Sequence, residues 1–255
     1  MDAPQLRMVD AARSDVGKVR SHNEDSFLSR PEAGLWAVAD GMGGHERGEW
    51  ASGLIVESIA AARMVGELDA DAASLADSIH AANGAIYDEA TARGVSTGST
   101  VVALLVSGRR FAVLWAGDSR AYMVRGGQLL QLSRDHTQVQ DMVERGLLAQ
   151  EDAKTHPMGH VLSRAVGVQQ GLELEGVTDE VQVGDVFLLC SDGLHGVVSD
   201  AEIGRVLSEE RPRGACERLV DLCLSRGAPD NVTIVTVACE ELTLLSPAGA
   251  GLTQS

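Results

Sequence analysis

Apolar residues along the chain follow two patterns, short continuous runs and longer stretches with helical spacing. The short runs are rich in Val, Leu and Ile and are bounded by Gly or Asp, which is typical of strands. They predict strands at 35–40, 99–108, 110–118, 121–133, 185–192 and 231–240, with weaker candidates near Val9 and at 26–28. The pair Gly126-Gly127 between apolar flanks predicts a two-residue hairpin, so at least part of the sheet is antiparallel.

The stretches with helical spacing lie between these strands and come in pairs. The first pair covers 46 to about 64 and 71–92, and the second covers 202–207 and 215–224. The segment 136–167 is different, because short helical turns are followed by the irregular "KTHPMGH", and we expect it to leave the core as an excursion. Strands and helices in separate runs, with a hairpin among them, favour a layered α+β fold over a parallel doubly wound one.

Length and composition fit one folded domain. A chain of 255 residues with 44% hydrophobic content can bury a sizeable core. No linker or repeat divides it, so residues 1–245 are expected to form a single domain, and the small, polar residues 246–255 a disordered tail. The N-terminus lacks the order of a signal peptide, and no apolar run is long enough to span a membrane. A cytoplasmic protein without membrane contact is expected.

The net charge limits the kinds of binding partner, and the cysteine spacing limits the kinds of covalent or metal site. A formal net charge of −16 argues against binding to nucleic acid or anionic membranes, which need a basic footprint. The four cysteines form no CxxC pair, so buried thiols in a reducing compartment are expected instead of disulfides or a zinc site. They are Cys190, Cys216, Cys223 and Cys239.

Acidic residues mark one end of four of the best strand candidates. Three runs end in Asp40, Asp118 and Asp192, and Asp230 immediately precedes the last run. In an antiparallel sheet the end of one strand and the start of its neighbour meet at the same rim, so these side chains can converge. A single aspartate at a strand end is more often a turn former. Four carboxylates at one rim would repel and raise one another's pKa, and bound hard cations would remove that cost.

The predicted rim offers oxygen ligands, which favour Mg²⁺ or Mn²⁺ over zinc. Gly41 beside Asp40 leaves its backbone carbonyl free to approach an ion. Two such ions lower the pKa of a shared water, hold it as hydroxide and clamp a phosphoryl oxygen during in-line attack. Arg20 suits phosphate because its planar fork donates two parallel hydrogen bonds. Taken alone, Arg20 is better explained by a surface salt bridge with Glu24 or Asp25.

Taken in order, these passages resemble the metal-dependent serine/threonine protein phosphatases of the 2C type, particularly the compact bacterial members. Each motif is weak alone, but seven in the correct order between about residues 7 and 240 make a strong signal. The matching pieces are "RSHNEDSF" (20–27), "VADGMGGHERGEWAS" (38–52), "GSTVVALLV" (98–106), "WAGDSRAYMVRGGQLLQLSRDHT" (115–137), "RAVG" (164–167), "LLCSDGLHGVVSD" (188–200) and "APDNVTIV" (228–235).

The resemblance implies a four-layer α-β-β-α sandwich, in which helices flank two central antiparallel sheets and a cleft at one edge holds two Mn²⁺ or Mg²⁺ ions and a weaker third. The segment 136–167 matches the mobile flap beside that cleft. The resemblance implies that Asp40 bridges the two ions, that the Gly41 carbonyl binds one of them, and that Asp192 and Asp230 complete the second ion's shell. It implies that Glu24 and Asp25 act through bound waters and that Asp118 holds the third ion with Asp192. Arg20 would bind the substrate phosphate.

The implied activity is the hydrolysis of phosphoserine and phosphothreonine in proteins by a water that bridges the two ions. Such a monomeric enzyme would reverse a serine/threonine kinase. One departure concerns the proton donor: some family members place a histidine, the proposed general acid, where this chain has Met42. The leaving-group proton would then have to come from a metal-bound water or another side chain.

Three other readings compete with this one. A nucleotide-binding protein is disfavoured, because the chain has no GxxxxGK[ST] and Glu46 takes the third glycine position of GxGxxG. A non-catalytic interaction domain of the same fold should lack some of the acids or Arg20, and here all are present. A phosphatase for a small phosphorylated molecule or a phosphoaspartate stays open, because the flap and the surface decide the substrate.

Overall fold

The computed structural model describes residues 6–44, 46–153 and 156–242, so the expected tail at 246–255 lies outside the described residues. The strands are β1 (Leu6–Asp15), β2 (Asp25–Arg30), β3 (Leu35–Met42), β4 (Gly98–Ser99), β5 (Val101–Ser107), β6 (Arg110–Ala116), β7 (Arg120–Arg125), β8 (Gln128–Gln131), β9 (Glu175–Glu180), β10 (Val186–Cys190) and β11 (Val232–Glu241). The helices are α1 (Glu46–Ala60), α2 (Leu68–Arg93), α3 (Gln138–Glu144), α4 (Gln150–Ala153), α5 (Asp192–His195), α6 (Asp200–Glu209) and α7 (Pro212–Ser225).

These strands form two sheets with antiparallel neighbours throughout. One sheet has the order β1-β11-β10-β7-β8. The other has the order β2-β3-β5-β6-β9, and the short β4 pairs with β3. The predicted hairpin joins β7 to β8, with Gly126 at φ 57° and Gly127 at φ 79°, the positive values that a tight two-residue turn requires.

Side chains along each strand alternate between the central core, which lies between the two sheets, and an outer core, which lies between a sheet and its helices. In β3, Trp36 and Val38 face the other sheet, whereas Ala37 faces the helices α1 and α2. Phe111 and Phe187 come from opposite sheets and meet edge to face in the central core, with ring centroids 4.9 Å apart. The helices α5, α6 and α7 cover the outer face of the β1-β11-β10-β7-β8 sheet. The expected α-β-β-α sandwich is confirmed.

The sequence missed the strand β9 and the short helix α5, and it placed the starts of α2, α6 and α7 two or three residues too late. The strand β9 carries Gly176 and mostly exposed polar residues, because it is an edge strand whose Val177 alone packs toward the central core. The helix α2 begins at Leu68, three residues before the predicted start at 71. The buried carboxylate of Asp71 accepts hydrogen bonds from two backbone amides of the preceding loop and so fixes this first turn.

All four cysteines are buried and free. Among the helices of the described residues, none combines the length and the apolar character needed to cross a membrane.

Candidate metal centre

The strand ends that carry the predicted aspartates border one cleft at the edge of the sandwich, with a volume of about 670 Å³. Its lining contains every candidate residue from the sequence except Asp25, which is buried nearby. The candidates in the lining are Arg20, Glu24, Asp40, Gly41, Asp118, Asp192 and Asp230. Residues far apart in the chain therefore meet at one rim, as the strand ends predicted.

Hydrogen bonds to Ser99 and Thr100 fix the backbone of Asp40. Its amide donates to Thr100 Oγ1 at 3.0 Å, and its carbonyl accepts from Thr100 N at 2.8 Å and Ser99 Oγ at 2.9 Å. The hydroxyl groups of Ser99 and Thr100 thus serve as hydrogen-bonding partners of the strand end. The carboxylate of Asp40 is left to face the cleft.

Two glycines let the loop of Glu24 come close to β3 and α1. The Gly41 amide donates to the Glu24 carbonyl at 3.1 Å, and Ser52 Oγ donates to the same carbonyl at 2.6 Å. A Cβ on Gly48 would overlap Glu24 Oε2, and a Cβ on Gly41 would overlap the Gly48 carbonyl. The glycines that follow Asp40 in sequence therefore make room for Glu24 and for the turn into α1.

Asp25 is buried behind the cleft. Its Oδ2 accepts from Ser191 Oγ at 2.8 Å, whereas its Oδ1 is buried with no hydrogen-bond partner. Burial, and then the charges of Asp192 and Asp230, raise the pKa of Asp25 to about 7. A buried carboxylate oxygen without a partner is costly, so this oxygen points to a group that binds here.

The other acids show the same electrostatic strain. Burial is the largest cause that raises the pKa of Asp40, Asp118 and Asp192, and for each of them neighbouring aspartate charges add to it. The pKa of Asp118 rises to about 8. The acids that line the cleft therefore disfavour one another's charged forms, and a bound cation would offset that cost.

Arg20 lies in the cleft and makes a bidentate ion pair with Asp230. Its Nε donates to Oδ1 at 2.9 Å and its Nη2 donates to Oδ2 at 2.7 Å. The salt bridge that the sequence suggested with Glu24 or Asp25 is replaced by this pair with Asp230. The guanidinium is exposed, with 56% of the side chain accessible, so it is within reach of an anion that enters the cleft.

The donor set fits hard divalent cations. It consists of carboxylate oxygens and a backbone carbonyl, which are the ligands that Mg²⁺ and Mn²⁺ prefer. Within the described part of the chain, no three His, Cys, Asp or Glu side chains are grouped so that they could hold an ion as they stand. In this arrangement one oxygen of Asp25 has no hydrogen-bond partner, and Asp230 is paired with Arg20. Cation binding would require small shifts of these side chains.

Comparison with known proteins agrees with this geometry. The model of the Protein phosphatase 2C family matches residues 2–232. The chain belongs to the protein phosphatase 2C family. The serine/threonine protein phosphatase PstP of Mycobacterium tuberculosis is 40% identical over 235 residues, which cover 88% of this chain and 44% of PstP. This chain therefore spans less than half the length of that relative.

Solved structures of family members superpose closely. PppA of Pseudomonas aeruginosa shares 43% identity at a TM-score of 0.87, with 93% of this chain and 100% of PppA covered. The catalytic domain of PstP in complex with two manganese ions shares 36% identity at a TM-score of 0.82, with 92% of this chain and 100% of that domain covered. Dependence on a divalent metal is thus a property of the family to which this chain belongs.

Three residues of the protein phosphatase 2C site were missed by the sequence analysis. Asn231 accepts from the Glu24 amide at 2.9 Å and donates to the carbonyls of Val16 and His22, so it fixes the loop that carries Arg20 and Glu24. Ser191 supports Asp25. The third residue is His195, whose Nε2 lies 3.0 Å from the Asp118 carbonyl. All three directly follow a candidate aspartate or lie within three residues of one, which is the signal that could have revealed them.

The flap segment, residues 136–167, supplies the opposite wall of the cleft through residues 160–165. Its first end is tied to the Asp118 loop, because His136 N donates to the Gly117 carbonyl at 2.9 Å and Gly117 N donates to His136 Nδ1 at 3.1 Å. Its second end pairs with β4 through the bridge between Ser99 and Val166. The predicted excursion contains α3 and α4, and residues 154–155 within it lie outside the described residues.

Proposed function

We propose that this chain is a metal-dependent serine/threonine protein phosphatase that hydrolyses phosphoserine and phosphothreonine in proteins. The convergence of Asp40, Asp118, Asp192 and Asp230 with Arg20 in one cleft carries this proposal. Family membership and the two manganese ions of the PstP catalytic domain support it. When bound, two Mn²⁺ or Mg²⁺ ions would supply a shared water that is activated near neutral pH and would clamp a phosphoryl oxygen.

The protein contributes the positions of the charges. Asp40, Asp192, Asp230 and the Gly41 carbonyl would hold the two ions, with Glu24 and Asp25 acting through waters. Arg20 would release one or both of its hydrogen bonds to Asp230 and donate them to two oxygens of the substrate phosphate, which a planar guanidinium does better than an ammonium.

A third, weaker ion is part of the proposal. Asp118 would hold it together with Asp192. The raised pKa of Asp118, caused by burial and then by the Asp192 charge, supports a cation between these two carboxylates.

The biological setting is also a proposal. The enzyme would act as a monomer in the cytoplasm and would reverse a serine/threonine kinase. Four buried free thiols support a reducing compartment. Light scattering of the purified protein tests the monomer, since a mass of twice 26.8 kDa would contradict it.

The activity is tested with a phosphothreonine peptide, in Mn²⁺ or in EDTA, for the wild type, Asp192→Asn and Asp221→Asn. Asp221 is an exposed acid outside the cleft and serves as the matched control. We expect phosphate release in Mn²⁺ that is lost in EDTA and in Asp192→Asn but kept in Asp221→Asn.

Other outcomes identify the alternatives. No release from any phosphorylated substrate in Mn²⁺ would favour a non-catalytic interaction domain. Release from small phosphorylated molecules or acyl phosphates, but not from phosphopeptides, would reassign the substrate. Release that survives both EDTA and Asp192→Asn would overturn the metal mechanism.

A further inference from the structure

Apolar side chains line part of the cleft that also holds the aspartates. Met42, Val161 and Val168 line the same cleft as the acids, and we call them the apolar lip. Val161 is 39% exposed and Val168 is 46% exposed. Apolar side chains that stay open at the mouth of a charged site are typical of a surface that a ligand covers.

Two members of the apolar lip lie against the same glycine. Met42 Cε and Val168 Cγ2 lie 3.0 and 2.9 Å from the position that a Cβ on Gly98 would take. Gly98 therefore leaves the space in which the two side chains come together. The Met42 side chain thereby extends the apolar surface of the cleft.

Val168 is exposed but rigidly placed. The buried Asn83 of α2 accepts from Gly167 N at 2.7 Å and donates to the carbonyls of Gln169 and Gln170, both at 3.1 Å. These three bonds hold the backbone on both sides of Val168. An apolar side chain fixed in this way loses little conformational freedom when a ligand covers it, which favours binding.

The lip continues the catalytic cleft, so its occupant is part of the molecule whose phosphate enters that cleft. The flap side of the cleft also carries the polar residues His160 and Arg164, so the lip offers room for one apolar side chain and not for an extended apolar segment. Resting on the proposed function, we propose that the apolar lip binds an apolar side chain of the phosphoprotein that immediately flanks the phosphorylated residue.

The test compares phosphothreonine peptides that carry Leu or Ser on either side of the phosphorylated residue. For the wild type in Mn²⁺ we expect kcat/KM to be about tenfold higher with Leu on at least one side, mainly through a lower KM. A factor of about ten is the lower end of the discrimination that a pocket gives for an apolar group. In Val168→Ser and Met42→Ser this Leu-to-Ser ratio should approach one. Val183→Ser is the matched control, because Val183 is equally exposed at 47% but does not line the cleft, and it should keep the wild-type ratio.

The outcomes separate this inference from the proposed function. A wild type that hydrolyses no phosphopeptide overturns both. A wild type that is active with equal kcat/KM for Leu and Ser peptides, or a ratio that survives both lip variants, overturns only the role of the lip. Self-association that disappears in Val168→Ser would assign the lip to a second copy of the chain and would also overturn it.

Discussion

Asp25 and Asp40 are direct cross-strand partners in the antiparallel pair of β2 and β3. Two carboxylates in this position destabilise a sheet when both are ionised. Burial raises the pKa of both groups, and the charge of Asp25 is the next cause of the raised pKa of Asp40. The fold therefore keeps two acids together at a cost that a bound cation can offset.

The first prediction concerns the stability of the metal-free protein. Because the folded pKa of Asp25 lies above its ordinary value, the unfolded chain loses the proton first as pH rises. The contribution of Asp25 to stability in EDTA should thus be full below about pH 4 and should be lost as pH rises to about 7, the folded pKa of Asp25. Asp25→Asn, which keeps the size and an acceptor for Ser191, should raise the free energy of unfolding at pH 8 by about 2 kcal/mol.

Urea unfolding in EDTA at pH 5 and pH 8 measures this effect, with Asp221→Asn as the control. Mn²⁺ should stabilise the wild type at pH 8 and should stabilise Asp25→Asn less. If Asp25→Asn is less stable than the wild type at pH 8 in EDTA, the two carboxylates do not oppose folding and the interpretation is wrong.

The second prediction concerns Arg20. Replacing it by Lys keeps the charge but removes the two parallel hydrogen bonds, so kcat/KM for a phosphopeptide should fall on the order of 100-fold. The inhibition constant of inorganic phosphate should rise as well, because the lost contact is to the phosphate. Arg13→Lys is the matched control: Arg13 also pairs with an exposed aspartate, at 2.9 Å, but outside the cleft. Unchanged phosphate inhibition in Arg20→Lys would exclude Arg20 from phosphate binding.

The third prediction concerns Gly167, at the end of the flap. Its φ is +84°, and a Cβ there would overlap the Ile86 side chain. Gly167→Ala should destabilise the protein by about 2 kcal/mol or more, because strain and overlap act together. Gly84→Ala in α2 is the control: a Cβ there meets no neighbour, so it should stabilise by about 0.5–1 kcal/mol. Equal melting temperatures of the two variants would contradict the steric argument.

The sequence predicts those features that depend on local pattern. The runs that became β3, β6, β10 and β11 show their apolar character directly, and the acids at their ends follow from the run boundaries. The edge strand β9 shows no such apolar run, because it buries few side chains and its pairing with β6 depends on the rest of the sheet. Asn83 acts on a segment far away in sequence, so no local pattern marks it, whereas Asn231 is marked only by its position next to Asp230.

The Arg20–Asp230 pair shows a second limit of the sequence. Proximity along the chain favoured Glu24 or Asp25 as partners of Arg20, and the partner is 210 positions away. Asn231 explains this outcome, because its contacts with Glu24 and His22 bring the N-terminal loop onto the start of β11. The sheet topology decides which charged side chains meet at the rim. From the sequence, only the family resemblance could indicate that topology.

The last prediction concerns Glu175, which ties the two ends of the flap to β9. Its Oε1 accepts from Arg134 at 2.8 Å and from Arg164 at 3.2 Å, and it lies 3.2 Å from His136 Nε2. Glu175→Ala would leave the positive charges at both flap ends without their shared partner. Exchange of the backbone amides of residues 138–144 should therefore become at least tenfold faster, whereas amides of the central strands should keep their protection.

Glu173→Ala is the matched control for this experiment. Glu173 contacts the same Arg164 at 3.2 Å, but its side chain is 80% exposed and it bridges only one end of the flap, so its removal should leave exchange unchanged within about twofold. Hydrogen exchange followed by mass spectrometry distinguishes the two variants. Equal exchange in both would mean that the Gly117–His136 hydrogen bonds and the Ser99–Val166 bridge fix the flap without Glu175. Faster exchange in Glu175→Ala alone would show that the Glu175 carboxylate couples the two flap ends, and the KM for phosphopeptides should then rise as well.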